Sequence, residues 1–216
     1  MERKVSLSLY AGALVIAVAI FLTGVYLGTI MDRLNMQDLS GEVNSVSQKV
    51  SSLQLLLLME GNSSSFCPVY TSELASIDSE VEHVGYKLSY LEDEKKTSDP
   101  ELKKSYFVLE AQSYLLSQKV RSLCGDKTVL LINFYSNKDC SRCRAQGEEI
   151  LSAREDLSSQ GVKMKLFSFD GDLGSPVADA LRREYGVTTY PSVVIDGHTY
   201  PGYHDSDSLK ALIKGG

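Results

Sequence analysis

The chain has 216 residues, of which 43% are hydrophobic and 23% are charged, and its formal net charge at pH 7 is −6. This composition is typical of folded protein rather than of a disordered tail, and the length suits one ordinary domain with accessory segments or two small domains. The acidic balance argues against nucleic acid as a partner, because phosphate binding needs a concentrated basic surface.

The first predicted element is a membrane anchor. Residues 5–31 contain no acidic or basic side chain apart from two tyrosines, and the run exceeds the about 20 residues that a helix needs to cross a bilayer. It is also longer than the apolar part of a secretory signal, so we predict an uncleaved signal-anchor. Arg3 and Lys4 precede the run, and Asp32-Arg33 after it carries no net charge. The positive-inside rule therefore predicts a single-pass protein of the cell membrane with a cytoplasmic N-terminus and an extracytoplasmic remainder.

Residues 35–125, called the stalk below, carry apolar side chains at helical spacing in three segments. Each segment places these side chains on one stripe of a helix, which needs a partner stripe. The stripes are Leu39, Val43, Val46, Val50, Leu53 and Leu57, then Leu74, Ile77, Val81, Val84, Leu88 and Leu91, then Leu102, Tyr106, Leu109, Leu116, Val120 and Leu123, with Ser113 at the one polar place. Turn signals at 60–68 and 96–100 separate the segments.

We predict from these stripes an all-α, antiparallel, coiled-coil-like bundle of three helices. The alternative is an open arrangement in which the first segment forms a parallel coiled-coil homodimer. If the first stalk helix stands upright, it raises whatever follows about 40 Å above the bilayer.

Two of the four cysteines flank the second and third stalk segments. Cys67 precedes the second segment and Cys124 follows the third, so an antiparallel hairpin brings both to one end of the bundle. That topology permits a structural disulfide between them, and an oxidising exterior favours it. The alternative is a second redox couple. Asn62-Ser63-Ser64 also matches a glycosylation acceptor, a pattern that arises often by chance.

The remaining residues, 126–216, change from helical periodicity to short alternating elements. The pattern predicts strands at 128–136 and 162–170, helices at 144–161 and 175–186, a hairpin over 188–204 that turns at Asp196-Gly197, and a final helix. The predicted order is β-α-β-α-β-β-α. The first strand leads directly into Cys140-Ser141-Arg142-Cys143, and Tyr190-Pro191 precedes the penultimate strand.

This order, with a C-x-x-C at a helix start and a Tyr-Pro before the penultimate strand, resembles the thioredoxin-like superfamily. The resemblance implies an α/β fold, a cis peptide bond before Pro191, and a thiol–disulfide oxidoreductase that needs no cofactor. It implies that Cys140 attacks a substrate disulfide and that Cys143 resolves the mixed disulfide. Tyr190, Pro191, Ser141 and Arg142 would support the site and contact substrate.

The chain departs from the thioredoxin pattern at three places. Asp139 stands where an aromatic residue usually precedes the first cysteine, and Ser141-Arg142 replaces the usual pair between the cysteines. Asn133 stands in the place of the buried acid of thioredoxin. Without that acid, proton transfer to or from Cys143 would need water or another group.

Three other interpretations compete for the cysteine pair. A zinc site would need two further ligands, and none of His83, His198 and His204 stands at a suitable spacing. A permanent structural disulfide is less expected at a helix start, where the pair usually stays reducible. The third is a redox-inactive thioredoxin-like adaptor that only binds.

The sequence thus predicts an anchor at 1–34, a stalk at 35–125 and a thioredoxin-like domain at 126–216. The predicted function is formation, isomerisation or reduction of disulfides in exported proteins. The predicted partners are protein thiols or disulfides, a membrane redox partner, the lipid bilayer and a second copy bound through the stalk.

Overall fold

The computed structural model describes residues 7–59 and 64–215. In this part of the chain the helices are α1 (Leu7–Met59), α2 (Cys67–Asp93), α3 (Pro100–Cys124), α4 (Cys143–Ser159), α5 (Pro176–Glu184) and α6 (Ser206–Gly215). The strands are β1 (Val129–Tyr135), β2 (Met164–Asp170), β3 (Ser192–Ile195) and β4 (His198–Pro201). Two sequence features, the basic pair Arg3-Lys4 and the acceptor Asn62, lie outside the described residues.

Helix α1 is 53 residues long and has no break between the predicted anchor and the predicted stalk. Its segment Tyr10–Gly28 is long and apolar enough to cross a membrane, and none of that segment is buried inside the protein. The predicted boundary between residues 34 and 35 therefore lies within a continuous helix.

The stalk helices run antiparallel, as their ion pairs show. Lys49 of α1 contacts Glu80 of α2 at 2.6 Å, and Glu42, earlier in α1, contacts Lys87, later in α2, at 2.5 Å. Helix α3 begins at Pro100 because the carboxylate of Asp99 accepts hydrogen bonds from the first free backbone N–H groups.

The three apolar stripes pack against one another, and only Leu123 among their apolar residues is partly rather than fully buried. The six α1 stripe residues are all buried, and so are those of α2. In the α3 stripe, the polar Ser113 is buried and donates a hydrogen bond to Asp78 of α2. The α1 stripe is therefore occupied within the chain, so a parallel homodimer would need a different face.

The C-terminal part contains one mixed sheet with strand order β2-β1-β3-β4. Strands β1 and β2 are parallel, whereas β3 is antiparallel to both of its neighbours, β1 and β4. Helices α4 and α6 cover one face, where Ile150, Leu157 and Leu209 pack against Leu131 and Val193 in one apolar cluster. The order of the elements in this part, β-α-β-α-β-β-α, agrees with the sequence prediction.

The other face of the sheet packs against the stalk. The ring of Tyr114 meets Phe167 edge-on with centroids 5.2 Å apart, and Phe107 meets Phe169 in the same way at 5.4 Å. Residues on both sides of the predicted boundary between 125 and 126 thus share one apolar core. Helix α3 is at once a stalk helix and a cover for the sheet.

The thioredoxin-like part lies beside the stalk rather than on top of it. Arg121, near the end of α3, donates to the carbonyl oxygen of Thr128 at the start of β1. Lys103, near the start of α3, lies 3.6 Å from Asp170 at the end of β2. The parallel strands therefore run back along α3, so that the start of β1 lies near the end of α3 and the end of β2 lies near its start.

Candidate functional site

The pair Cys140–Cys143 forms a disulfide with its Cα atoms 5.4 Å apart. Cys143 is the first residue of α4 and only 7% exposed, whereas Cys140 precedes the helix and is partly exposed. The sulfur of Cys143 accepts a hydrogen bond from the backbone N–H of Ser136 at 3.4 Å. Both sulfurs lie at the positive end of the α4 dipole, which favours a thiolate after reduction.

The loop between β1 and the disulfide is held by Asp172. Its carboxylate accepts hydrogen bonds from the Ser136 hydroxyl at 2.6 Å and from the backbone N–H groups of Asn137 and Lys138 at 2.9 and 3.0 Å. These hydrogen bonds, the one from Ser136 first, lower the pKa of Asp172. The carboxylate therefore stays ionised at neutral pH and fixes the loop that carries Cys140.

The peptide bond between Tyr190 and Pro191 is cis. Pro191 directly precedes Ser192, which pairs with Phe134 near the end of β1, so the proline lies at the sheet end where the disulfide lies. The Tyr190 ring passes so close to Gly171 that a Cβ atom there would overlap it. Glycine at position 171 is therefore required for this placement of Tyr190.

Arg142, between the two cysteines, lies over the ring of Tyr203 with its guanidinium carbon 3.9 Å from the ring centroid. The Tyr203 hydroxyl in turn donates to the Glu149 carboxylate of α4 at 3.1 Å. This cation–π contact fixes a positive charge beside the disulfide. Ser141, beside it, is exposed.

A polar cavity of about 470 Å³ lies behind the disulfide and is shared with the stalk. Cys140, Cys143 and Asn133 line it from the thioredoxin-like part, and Glu92 and Lys103 line it from the stalk. Asn133 is buried, and no described residue hydrogen-bonds its side-chain oxygen. A polar cavity of this size has room for ordered water beside Cys143.

Lys103 is the buried cation of this cavity. It is 6% exposed, and its ammonium group donates to the Glu92 carboxylate at 2.7 Å. It also lies 3.6 Å from Asp170 and 5.8 Å from the centroid of the Tyr135 ring. The two carboxylates and the aromatic ring offset the free-energy cost of moving the ammonium group out of bulk water.

The second disulfide, Cys67–Cys124, has its Cα atoms 5.5 Å apart and joins residues that are 57 positions apart in sequence. It links the first residue of α2 to the last residue of α3. The structure thus brings together Cys140, Cys143, Arg142 and the Tyr190-Pro191 loop at one end of the sheet, and it places Cys67 and Cys124 at the opposite end of α3.

Several site residues are not evident from the sequence. Lys103 and Glu92 fall in stretches that look like solvated helix ends, Asp172 falls in a loop, and Tyr203 follows the last strand. The sequence gives a hint only for Lys103, because this residue directly follows the stripe residue Leu102 and therefore lies beside a buried helix face.

No protein-family model matches the chain, and no curated protein does. Among solved structures, the chain is similar to thioredoxin-2 of a malaria parasite, with 23% identity and a TM-score of 0.33 over 41% of this chain and 84% of that one. It is similar to chloroplastic thioredoxin z, with 17% identity and a TM-score of 0.35 over 46% of this chain and 87% of that one. The chain is also similar to the first thioredoxin domain of mouse protein disulfide-isomerase A4, with 19% identity and a TM-score of 0.33 over 45% of this chain and 69% of that one.

Proposed function

We propose that this chain is a thiol–disulfide oxidoreductase that is tethered to the membrane by α1 and acts outside the cytoplasm on exported proteins. The observation that carries the proposal is the Cys140–Cys143 disulfide at the start of α4, with Cys140 partly exposed and Cys143 buried. This asymmetry gives the two sulfurs different tasks, because only one can meet a substrate.

The exchange proceeds in two displacements. The Cys140 thiol loses its proton to solvent, and its thiolate attacks a substrate disulfide, forming one S–S bond while the substrate bond breaks and one substrate thiolate leaves. The Cys143 thiol is then deprotonated and attacks Cys140, which closes the internal disulfide and releases the second substrate thiolate. Two electrons pass from the dithiol to the substrate. The reverse sequence oxidises a substrate dithiol.

Positive charge and hydrogen bonding at the site favour the reactive thiolate. The α4 dipole, the Ser136 N–H group and the Arg142 guanidinium all stabilise negative charge on the sulfurs. Asp139 is exposed beside Cys140 and acts in the opposite direction. We assign no direction of electron flow from these opposing contributions.

The apolar segment of α1 and the two disulfides support the proposed location. Tyr10–Gly28 has the length and composition of a membrane span, and Cys67–Cys124 is a bond that persists in oxidising compartments. The apolar residues of the α1 stalk stripe are covered by α2 and α3, so we propose the membrane-bound monomer as the working unit.

Trapping of mixed disulfides tests this function. In Cys143→Ser the Cys140 thiolate can attack a substrate, but the intermediate has no resolving thiol, so we expect covalent adducts with disulfide-containing proteins. Cys140→Ser is the matched control and should form none. A redox-inactive adaptor would give no adduct with either variant, and that result would overturn the proposal.

A further inference from the structure

The register between α1 and α2 fixes how far along α1 each part of the molecule lies. Glu42 of α1 pairs with Lys87 of α2. Seven residues further along α1, Lys49 pairs with Glu80, which lies seven residues before Lys87 in α2. The register is therefore constant over this stretch. On this register, residues 89–93 of α2 lie level with residues 36–40 of α1.

The same α2 residues line the cavity behind the Cys140–Cys143 disulfide. Ser89, Glu92 and Asp93 share that cavity with both cysteines. The disulfide therefore lies level with residues 36–40, near the membrane end of α1, and not at the far end of the stalk. The opposite end of the stalk carries Cys67–Cys124.

The direction of α4 agrees with this placement. Helix α4 begins at Cys143, beside the cavity, and its later residue Arg154 contacts Glu82 of α2 at 2.8 Å. Glu82 lies further from the membrane end than Glu92, because α2 runs towards that end. Helix α4 therefore runs away from the membrane, and its N-terminus, with the disulfide, faces the membrane.

The distance from the bilayer follows from the helix rise. The apolar segment ends at Gly28, and residues 36–40 come eight to twelve positions later, which is about 12–18 Å along a helix. The polar headgroup layer occupies roughly 5–8 Å on each side of the hydrocarbon core. The disulfide thus lies about 4–13 Å beyond that layer.

We propose that the Cys140–Cys143 site works at the bilayer surface, and that its redox partner is a cysteine pair on a short loop of an integral membrane protein. This inference rests on the proposed function and on insertion of α1 into the membrane. A cysteine pair on a short loop cannot lie far above the headgroups. The register between α1 and α2 places the Cys140–Cys143 disulfide at a similar height. The exchange is the two-step displacement given above.

Two peptide probes and one insertion variant test this inference. The full chain is reconstituted in phosphatidylcholine vesicles, reduced, and offered a disulfide-bonded peptide that is either free in solution or linked to a phospholipid headgroup by a short linker. In the variant, seven helix-forming residues are inserted after Asn35, which raises the site by about 10 Å. Because two helical turns take about 7.2 residues, the insertion hardly rotates the site about the axis of α1. The control carries the same seven residues after Gly216.

The insertion should slow reduction of the lipid-linked peptide by about threefold or more, because it moves the site out of reach of the short linker. It should leave the rate with the free peptide unchanged, and the C-terminal control should match the original chain with both probes. Equal rates for the insertion variant and the original chain with the lipid-linked peptide would overturn the inference. So would an original chain that reduces the free peptide and not the lipid-linked one. A chain that reduces neither peptide would instead overturn the proposed function.

Discussion

The two disulfides of this chain have nearly the same Cα–Cα distance, 5.5 Å for Cys67–Cys124 and 5.4 Å for Cys140–Cys143, but they differ in everything around them. The first joins residues 57 positions apart and links the ends of two packed helices. The second joins residues three positions apart at a helix start, beside a polar cavity. From loop length and surroundings we propose that the first bond serves stability and the second serves chemistry.

The largest expected effect is the loss of exchange activity in Cys140→Ser. Without the attacking thiolate, we expect the rate of insulin-disulfide reduction to fall about a thousandfold or more, as when other enzymes lose a nucleophile. The double variant Cys67→Ser/Cys124→Ser should keep the rate within a few fold. A comparable loss of activity in Cys140→Ser and in the double variant would contradict the different roles of the two disulfides.

The next largest effect concerns stability, to which Cys67–Cys124 should contribute more than Cys140–Cys143. Removing Cys67–Cys124 frees a long loop in the unfolded chain, and the chain-entropy relation gives a decrease of about 4 kcal/mol in the free energy of unfolding. The short Cys140–Cys143 loop should contribute less than half of that on the same relation. Urea unfolding of both double-serine variants in mild detergent measures the difference. Equal decreases would contradict the assignment.

Lys103→Met tests whether the reactive disulfide and the stalk form one structural unit. The change leaves Glu92 and Asp170 without their buried cation, and we expect a decrease of about 3 kcal/mol in stability. Lys49→Met removes an exposed stalk ion pair and should cost less than about 1 kcal/mol. Because helix α3 shares its core with the sheet, helical and aromatic signals should change at the same urea concentration. Separate transitions would show two independent units.

Glu110→Gln gives the most pH-dependent effect. Burial of this α3 side chain under the sheet raises the pKa of Glu110 to about 8. The folded state thus holds a proton that the unfolded state releases near its ordinary pKa of about 4.3, so stability falls as the pH rises from there to about 8. Gln cannot ionise, and the variant should lose less stability over this range. We expect the Gln variant to gain on the order of a few kcal/mol relative to Glu110 between pH 4 and pH 8, since the shift spans more than three pKa units at about 1.4 kcal/mol each. Parallel curves for both proteins would contradict the raised pKa.

Local patterns predicted much of this molecule. Apolar spacing in the stalk corresponds to the buried stripes, because each helix must cover its apolar face. The hairpin at Asp196-Gly197 and the cis bond before Pro191 are present, since both depend on residues adjacent in sequence. The disulfide between Cys67 and Cys124, which the predicted antiparallel hairpin permits, is present.

Contacts between distant segments were not predictable in the same way. Helix α3 has a second buried side, with Phe107, Ala111 and Tyr114, that covers the sheet, and one periodic stripe does not reveal a second partner. Lys103 and Glu92 stand near helix ends in the sequence, and the packing of the sheet beside the stalk buries Lys103. The same packing places the Cys140–Cys143 disulfide near the start of α3, which the upright-stalk expectation did not include.

The most direct test of the account is a redox titration of the full chain in mild detergent, with alkylation and mass mapping of all four cysteines. Exposed and catalytic disulfides have reduction potentials above about −300 mV, whereas structural disulfides in exported proteins lie below it. We predict that Cys140 and Cys143 become alkylated at potentials where Cys67 and Cys124 remain joined. Reduction of the two bonds together, or of Cys67–Cys124 first, would contradict the central claim that only the Cys140–Cys143 bond exchanges.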